Sequence, residues 1–174
     1  GLFVQSPDGE EARQLLDGVA NVSSVTVSRD GQHFAFLSDK FEFGDDKPNN
    51  DLYLWSRKRD LSEDGSGGAK RIAYVGAAGM PPSMRVSGQP SFSRDGNALS
   101  FTVSSPTPPA ELPILDEDKV ELDLWSYRDG LLQTMQAVSR GRGGSAKTAV
   151  YWADTGKLLV VGDERIPSLR FIGM

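Results

Sequence analysis

Serine-based hydrolysis needs a histidine beside an activated serine, and His33 is the single histidine in this sequence. Ser28 and Ser93 belong to turn motifs, and His33 follows the first of these turns within a strand pattern. Turn formation and strand packing are therefore favoured over a catalytic role. The absence of cysteine excludes thiolate catalysis, disulfides and Cys-based zinc sites. We assign no catalytic residue.

Acidic side chains are the next candidates, because carboxylate oxygens bind hard cations. Asp45, Asp46 and Asp51 form one group, and residues 116–118 read Asp-Glu-Asp. Neither group has the spaced Asp-x-Asp-x-Asp-Gly pattern of a calcium loop, so solvated acidic loops are favoured. Carboxylate pairs for glycoside chemistry depend on a spatial separation that a sequence does not give. No metal-binding residue is assigned.

Two further patterns are compatible with ligand binding. Residues 141–144 read Gly-Arg-Gly-Gly, but they lack the Lys-Ser/Thr ending of a phosphate-binding loop, and a flexible linker is favoured. Trp55 and Trp125 both follow Asp-Leu motifs and could form a stacking platform. Packing between sheets is favoured for them, because large aromatic side chains stabilise face-to-face sheets. No cofactor-binding residue is assigned, and no cofactor is expected.

The predicted strands that carry these residues are organised around a four-residue motif that occurs twice. Residues 28–31 and 93–96 both read Ser-Arg-Asp-Gly, after a hydrophobic strand and before an alternating apolar strand. In such a turn the Ser and Asp side chains bond to the backbone, and Gly adopts the positive φ that other residues resist. Each copy is predicted to be an antiparallel hairpin. A repeated hairpin is typical of the blades of a β-propeller.

The rest of the chain continues the strand pattern. Predicted strands cover residues 2–5, 12–16, 22–27, 33–37, 51–55, 71–75, 91–93, 98–103, 120–127, 148–152, 158–161 and 169–172. Residues 131–138 are compatible with a short helix or a strand. Segments 57–70 and 76–89 are predicted to be irregular, and the prolines of segment 105–113 exclude a central strand there.

The predicted fold is all-β, with antiparallel sheets arranged as consecutive blades of a partial β-propeller over residues 1–174. The two turns are 65 residues apart. A typical blade takes about 40 to 45 residues, and insertions between strands explain the excess. We expect about two full blades and parts of their neighbours. Both ends of the sequence lie in strand-like segments, so we expect a piece of a longer protein whose bare strand edges associate with other chains.

Charge and hydropathy exclude two classes of partner. The 174 residues carry a formal net charge of -5, whereas a nucleic-acid-binding protein needs a basic face. The basic stretch at residues 140–142 is too short to provide one. No apolar run approaches the roughly 20 residues that span a bilayer. We expect neither nucleic-acid binding nor a membrane span.

One stretch carries a family resemblance. Residues 123–136 read Asp-Leu-Trp-Ser-Tyr-Arg-Asp-Gly-Leu-Leu-Gln-Thr-Met-Gln, which resembles a segment in the β-propeller region of bacterial prolyl oligopeptidase family serine peptidases. The Pro-rich, acidic lead-in of that family is matched by residues 108–120, and the hairpin that follows is matched by residues 149–164. The Ser-x-Asp-Gly hairpins also match, although many propellers share them. The resemblance covers most of the chain and is sharpest over residues 106–164.

The resemblance implies a two-part enzyme, in which an N-terminal propeller caps a C-terminal α/β-hydrolase domain that holds a Ser-Asp-His triad. The hydrolase signature Gly-x-Ser-x-Gly does not occur here, so this chain resembles the non-catalytic portion. Its implied role is to restrict access to the active site and help to position peptide substrates. The implied partners are the hydrolase domain of the parent chain and peptides. An extracytoplasmic location, periplasmic or secreted, is favoured because family proteins are frequently exported.

Two alternatives stay open. A binding or scaffold propeller of the periplasmic TolB type fits the Ser-x-Asp-Gly hairpins equally well. A freestanding small β domain that borrows strands from a partner is also compatible with the pattern. A hydrolase domain after residue 174 in the gene would favour the peptidase, whereas further blades followed by a stop would favour the scaffold.

Overall fold

The computed structural model consists of antiparallel β-strands in the residues that it describes, which are 1–5, 9, 11–46, 48–58, 61, 67–105 and 146–161. The strands are β1 (Leu2–Val4), β2 (Arg13–Leu16), β3 (Val22–Val27), β4 (His33–Ser38), β5 (Asp51–Ser56), β6 (Lys70–Ala73), β7 (Arg85–Val86), β8 (Ser91–Phe92), β9 (Ala98–Ser104), β10 (Lys147–Trp152) and β11 (Leu158–Val160). These ranges contain no helix. The described part of the chain is therefore all-β, as predicted.

The central sheet is a four-stranded meander in the order β3-β4-β5-β6, with every neighbour antiparallel. Strands β4 and β5 pair without interruption from His33 opposite Ser56 to Ser38 opposite Asp51. The pairing of β3 with β4 shifts register between Ser23 and Thr26. Ser24, within this irregularity, has a φ of 52°. A bulge of this kind bends a strand and increases its local twist.

The second large sheet repeats this plan with one interruption. Its order is β11-β10-β9-β7, and β8 pairs with the same strand, β9, as β7 does. Strands β7 and β8 therefore share the position of a single strand. Pro90, between the two short strands, has no N–H to donate to the ladder. Just before it, the N–H groups of Ser87 and Gly88 both donate to the carbonyl of Thr102. The third sheet pairs β1 with β2 alone.

Both faces of the central sheet are buried, and they carry different residues. Alternate side chains of β4 and β5, such as Ala35 and Leu54, join a core with the second large sheet, including Phe101 and Tyr151. The intervening aromatic side chains form a second core with the β1–β2 sheet, and its buried members are Leu15, Leu16, Phe36, Tyr53 and Trp55. Side chains alternate between the two faces of a strand. A strand that is apolar on both faces can therefore be buried between two other sheets. Each fully buried large apolar side chain contributes about 1.5–3 kcal/mol.

The two Ser-Arg-Asp-Gly turns adopt the same hydrogen-bond pattern. In the first, the Ser28 hydroxyl accepts from the backbone N–H of His33 at 2.9 Å and donates to Asp30 Oδ1 at 2.6 Å. In the second, Ser93 accepts from the N–H of residue 98 at 2.9 Å and donates to Asp95 at 2.5 Å. The glycines that follow, at positions 31 and 96, have φ of 67° and 77°. Both predicted hairpins are confirmed.

Most predicted strands in the described ranges are present, with small shifts at their ends. The short strand β7 was not predicted, because it lies in a segment rich in Gly and Pro. The predictions for residues 120–127, 131–138 and 169–172 lie outside the described residues, as does most of the segment that carries the family resemblance. Among the described residues, no helix has the length and apolar character needed to cross a membrane.

Candidate functional site

His33 lies beside Ser28, but the two side chains do not form a catalytic pair. The Ser28 hydroxyl is engaged by the turn, since it donates to Asp30 and accepts from the backbone of His33. The imidazole lies 6.2 Å from the ring of Phe92, centroid to centroid. Its Nδ1 atom is buried and has no hydrogen-bond partner, so no carboxylate orients the ring as in a triad. His33 therefore occupies the position of a strand residue that flanks a turn.

The three candidate cation ligands are not brought together. Asp45 and Asp46 are exposed in the β4–β5 connection, whereas Asp51 is buried and forms an ion pair with Arg71 at 2.7 Å. Within the described ranges, no three carboxylate or imidazole groups converge as a metal-binding cluster. The second acidic group at residues 116–118 and the glycine-rich segment at 141–144 lie outside those ranges.

Trp55 packs in the core, as predicted. It is buried, its ring meets Phe34 edge-on with centroids 5.3 Å apart, and its Nε1–H donates to the carbonyl of Gly67 at 2.9 Å. The neighbouring cross-strand pair, Phe36 and Tyr53, is stacked at the same centroid distance. Such cross-strand aromatic pairs stabilise a sheet beyond their buried area. Trp125 lies outside the described residues.

A cavity of about 730 Å³ lies where the β1–β2 sheet meets the central sheet. It lies within the size range of small-molecule sites, about 300–1,000 Å³. Strand β2, the residues after β4, the middle of β5, and β6 with its flanks all contribute to the wall. The lining residues are Arg13, Gln14, Leu15, Leu16, Asp17, Lys40, Phe41, Tyr53, Gly68, Ala69, Lys70, Arg71 and Tyr74.

Arg71 is the best-anchored charge in this wall. Its guanidinium lies 4.1 Å from the ring centroid of Phe41 and 4.0 Å from that of Tyr74. One terminal nitrogen bonds to Oδ2 of the buried Asp51 at 2.7 Å. Cation–π contacts on two rings, together with an ion pair, restrict the rotamers of this long side chain.

Burial changes the ionisation of two groups beside Arg71. It raises the pKa of Asp51 to about 6, against the opposing attraction of Arg71. Burial also raises the pKa of Tyr53 to about 12, and the charge of Asp51 adds to this effect. Tyr53 is therefore a neutral hydroxyl at physiological pH, and it is available as a hydrogen-bond donor. Its oxygen is buried and has no hydrogen-bond partner.

The charged groups of the cavity wall are mostly cationic. Among the described lining residues, four cations, Arg13, Lys40, Lys70 and Arg71, face one carboxylate, that of Asp17. Lys40 is paired with Asp17, whereas neither Arg13 nor Lys70 has an ion-pair partner among the described residues. Positive charge is concentrated here although the chain carries a net charge of -5. A wall rich in donors and poor in acceptors is suited to an acceptor-rich anion.

Sequence reasoning did not find this cavity. Its described lining residues come from four separate segments. Lys40 and Phe41 lie between the predicted strands at 33–37 and 51–55, and Lys70 lies in a segment predicted to be irregular. The available signal was an acidic residue, Asp51, at the start of an otherwise apolar strand. A buried carboxylate calls for a partner, but the sequence does not identify Arg71 as that partner.

Comparison of the chain with protein-family models and with curated proteins found no match.

Proposed function

We propose that this chain is the non-catalytic propeller portion of a serine peptidase of the prolyl oligopeptidase type, and that it restricts access to the active site and helps to position peptide substrates. The assignment to a peptidase depends on the resemblance of residues 106–164. The proposal that the sheets are propeller blades depends on the packing of the described residues.

Equivalent strand order supports the interpretation of the two large sheets as blades. In the central sheet, β3 leads through the first Ser-Arg-Asp-Gly turn into β4, and β5 and β6 follow outward. In the second sheet, the interrupted strand β7/β8 leads through the second turn into β9, and β10 and β11 follow outward. Four-stranded antiparallel meanders in series are the units of a propeller.

The observation that carries the proposal is the contact between the two turns. Gly96 of the second turn faces the first turn, where its nearest neighbours include Ser28 and His33. Equivalent points of the two sheets are thus adjacent, as they are in blades that follow one another around an axis. The continuous core between the sheets supports the same arrangement.

The proposal assigns no catalysis to this chain. The turn serines are engaged by their own turns, and the buried Nδ1 of His33 has no hydrogen-bond partner. A fluorogenic Gly-Pro amide and longer labelled peptides are suitable probes, and we expect the 174-residue chain to cleave none of them. Cleavage that persists after repurification would contradict the non-catalytic role, and its loss in a Ser28→Ala variant would assign the activity to Ser28.

The gene sequence after the codon for Met174 tests the link to a peptidase. A downstream domain with Gly-x-Ser-x-Gly, a later Asp and a later His is expected. Further blades followed by a stop codon would instead support a scaffold propeller of the TolB type. An experimental structure of the whole gene product would test the blades separately: β3 and β8 should lie side by side nearest a common axis. Sheets that are not arranged around a common axis would contradict the proposal of a propeller.

A further inference from the structure

We infer that the cavity between β2 and the central sheet binds a small organic anion. The shared chemistry is an oxyanion group, carboxylate or phosphate, that is held by the cationic side chains of Arg13 and Lys70 and by the hydroxyl of Tyr53. This property is independent of the peptidase assignment, because it depends only on the residues of the cavity wall.

The hydroxyl of Tyr53 is the strongest evidence for a ligand. Tyr53 is 3% exposed and lines the cavity, and its hydroxyl oxygen is buried without a hydrogen-bond partner, so an anion reaches it once neighbouring side chains of the wall shift. A buried donor that lacks a partner is unfavourable, and most such groups in folded proteins are satisfied. Because the hydroxyl keeps its proton at neutral pH, it is suited to donate to an anionic acceptor.

The charges of the wall determine the sign of the ligand. Lys40 and Arg71 are already paired with carboxylates, whereas Arg13 and Lys70 have no ion-pair partner in the part of the chain that the structure describes. Two cations that have no ion-pair partner among the described residues, in a partly enclosed space, attract an anion more strongly than the same side chains on an open surface. Guanidinium groups bind carboxylates and phosphates in particular.

The rigidity of the wall favours binding at low entropic cost. Arg71 is held by Phe41, Tyr74 and Asp51, and Tyr53 is stacked on Phe36. The backbone N–H of Ala69 donates to the carbonyl of Leu15 at 2.9 Å, which ties the β6 side of the cavity to β2. A preformed wall loses less side-chain freedom when a ligand enters.

Isothermal titration calorimetry of the full 174-residue chain tests the inference. Succinate and inorganic phosphate are the probes, and sodium chloride at matched ionic strength is the control. We expect saturable binding of one or both probes with a Kd of about 1 mM or tighter. Binding of succinate alone identifies a carboxylate ligand, and binding of phosphate alone identifies a phosphate ligand. Failure of both probes to bind would overturn the inference.

Three variants separate a built site from nonspecific charge attraction. Arg13→Gln and Lys70→Gln should each weaken binding at least about fivefold, because each removes one cation from the wall. Lys157→Gln is the matched control, since Lys157 is exposed and does not line the cavity. Equal weakening in the control would indicate nonspecific attraction and overturn the site.

Tyr53→Phe provides a test that does not depend on charge. It removes only the unpartnered hydroxyl, so the melting temperature without ligand should not fall. Anion affinity should fall about three- to tenfold. Unchanged affinity would show that the hydroxyl does not contact the anion, and this outcome would overturn the proposed role of Tyr53.

Discussion

Gly96 packs against Ser28, so the second Ser-Arg-Asp-Gly turn rests on the first. A β-carbon at position 96 would lie 3.5 Å from Cβ of Ser28 and 3.8 Å from Cδ2 of His33. Gly96 is buried as a result, whereas open space surrounds the equivalent Gly31. Two turns with the same sequence and the same hydrogen bonds thus have different roles in packing.

This difference predicts unequal effects of the same substitution. Gly31→Leu and Gly96→Leu both force an L side chain into a positive φ, which costs about 1–2 kcal/mol. Gly96→Leu should cost about 1–3 kcal/mol more, because its side chain enters the space of the first turn. Urea denaturation of both variants measures the two values. Equal losses would mean that the turns are not in contact in solution.

The serines of the two turns form a second matched pair. Ser28→Ala should lower the free energy of unfolding by about 1–3 kcal/mol, since Ser28 is 3% exposed and the N–H of His33 loses its acceptor. Ser93→Ala should cost about 0.5–1.5 kcal/mol, because Ser93 is more exposed and water can replace the hydroxyl.

NMR titration of the turn aspartates gives an independent check of these bonds. The hydrogen bond from Ser28 lowers the pKa of Asp30, and that from Ser93 lowers the pKa of Asp95. Each Ser→Ala variant should raise the pKa of its own aspartate and leave the other unchanged. A rise at both aspartates, or at neither, would contradict the hydrogen-bond pattern.

The buried carboxyl of Asp51 predicts a pH dependence of stability. Burial raises its pKa in the folded chain from 3.8 to about 6. Between these two values the folded chain binds a proton that the unfolded chain releases, so this group makes the free energy of unfolding fall as pH rises. Above about pH 6 the charged carboxylate carries its full desolvation penalty.

Asp51→Asn removes this titration and isolates its effect. The free energy of unfolding of the unmodified chain minus that of the variant should be larger at pH 5 than at pH 7.5, because only the unmodified chain gains the proton. Urea denaturation at the two pH values measures the difference. A constant difference, or a larger one at pH 7.5, would show that the pKa of Asp51 is not raised.

We expect an alanine substitution to be more damaging at Gly79 than at Gly76. A β-carbon at position 79 would lie 2.3 Å from the carbonyl oxygen of Leu158, whereas the same addition at Gly76 meets nothing within 4 Å. Both glycines have a positive φ. Gly76→Ala should cost about 1–2 kcal/mol from backbone strain alone. Gly79→Ala should cost several kcal/mol, because the backbone near β11 has to move. Thermal unfolding that ranks the two variants in the opposite order would contradict the contact with Leu158.

We expect this chain to self-associate through β11, the outer strand of the second large sheet. Within the described ranges, β11 pairs only with β10, and Leu159 on this strand is 47% exposed. Exposed edge strands template pairing with other chains. Sedimentation velocity should show concentration-dependent association that Leu159→Lys reduces. A monomer at all concentrations, with or without the substitution, would contradict this prediction.

The local structure follows from the sequence with few exceptions. The Ser-Arg-Asp-Gly turns were predictable, because their side-chain caps and positive-φ glycines depend only on neighbouring residues. Strand β5 was predictable as well, since Leu52 to Trp55 is apolar at every position. Strand β7 was not predictable: it is two residues long, and tertiary pairing with β9 decides its conformation.

The amino-acid sequence alone determined the turns and the strand pattern. The tertiary structure decided which residues meet across the sheets, above all at the cavity that contains Arg13, Lys40, Tyr53 and Arg71. The register between β5 and β6 shifts beside Tyr53, and a shift of this kind changes which side chains face each other. Such contacts arise from the stacking of whole sheets, a long-range outcome that no local sequence pattern specifies.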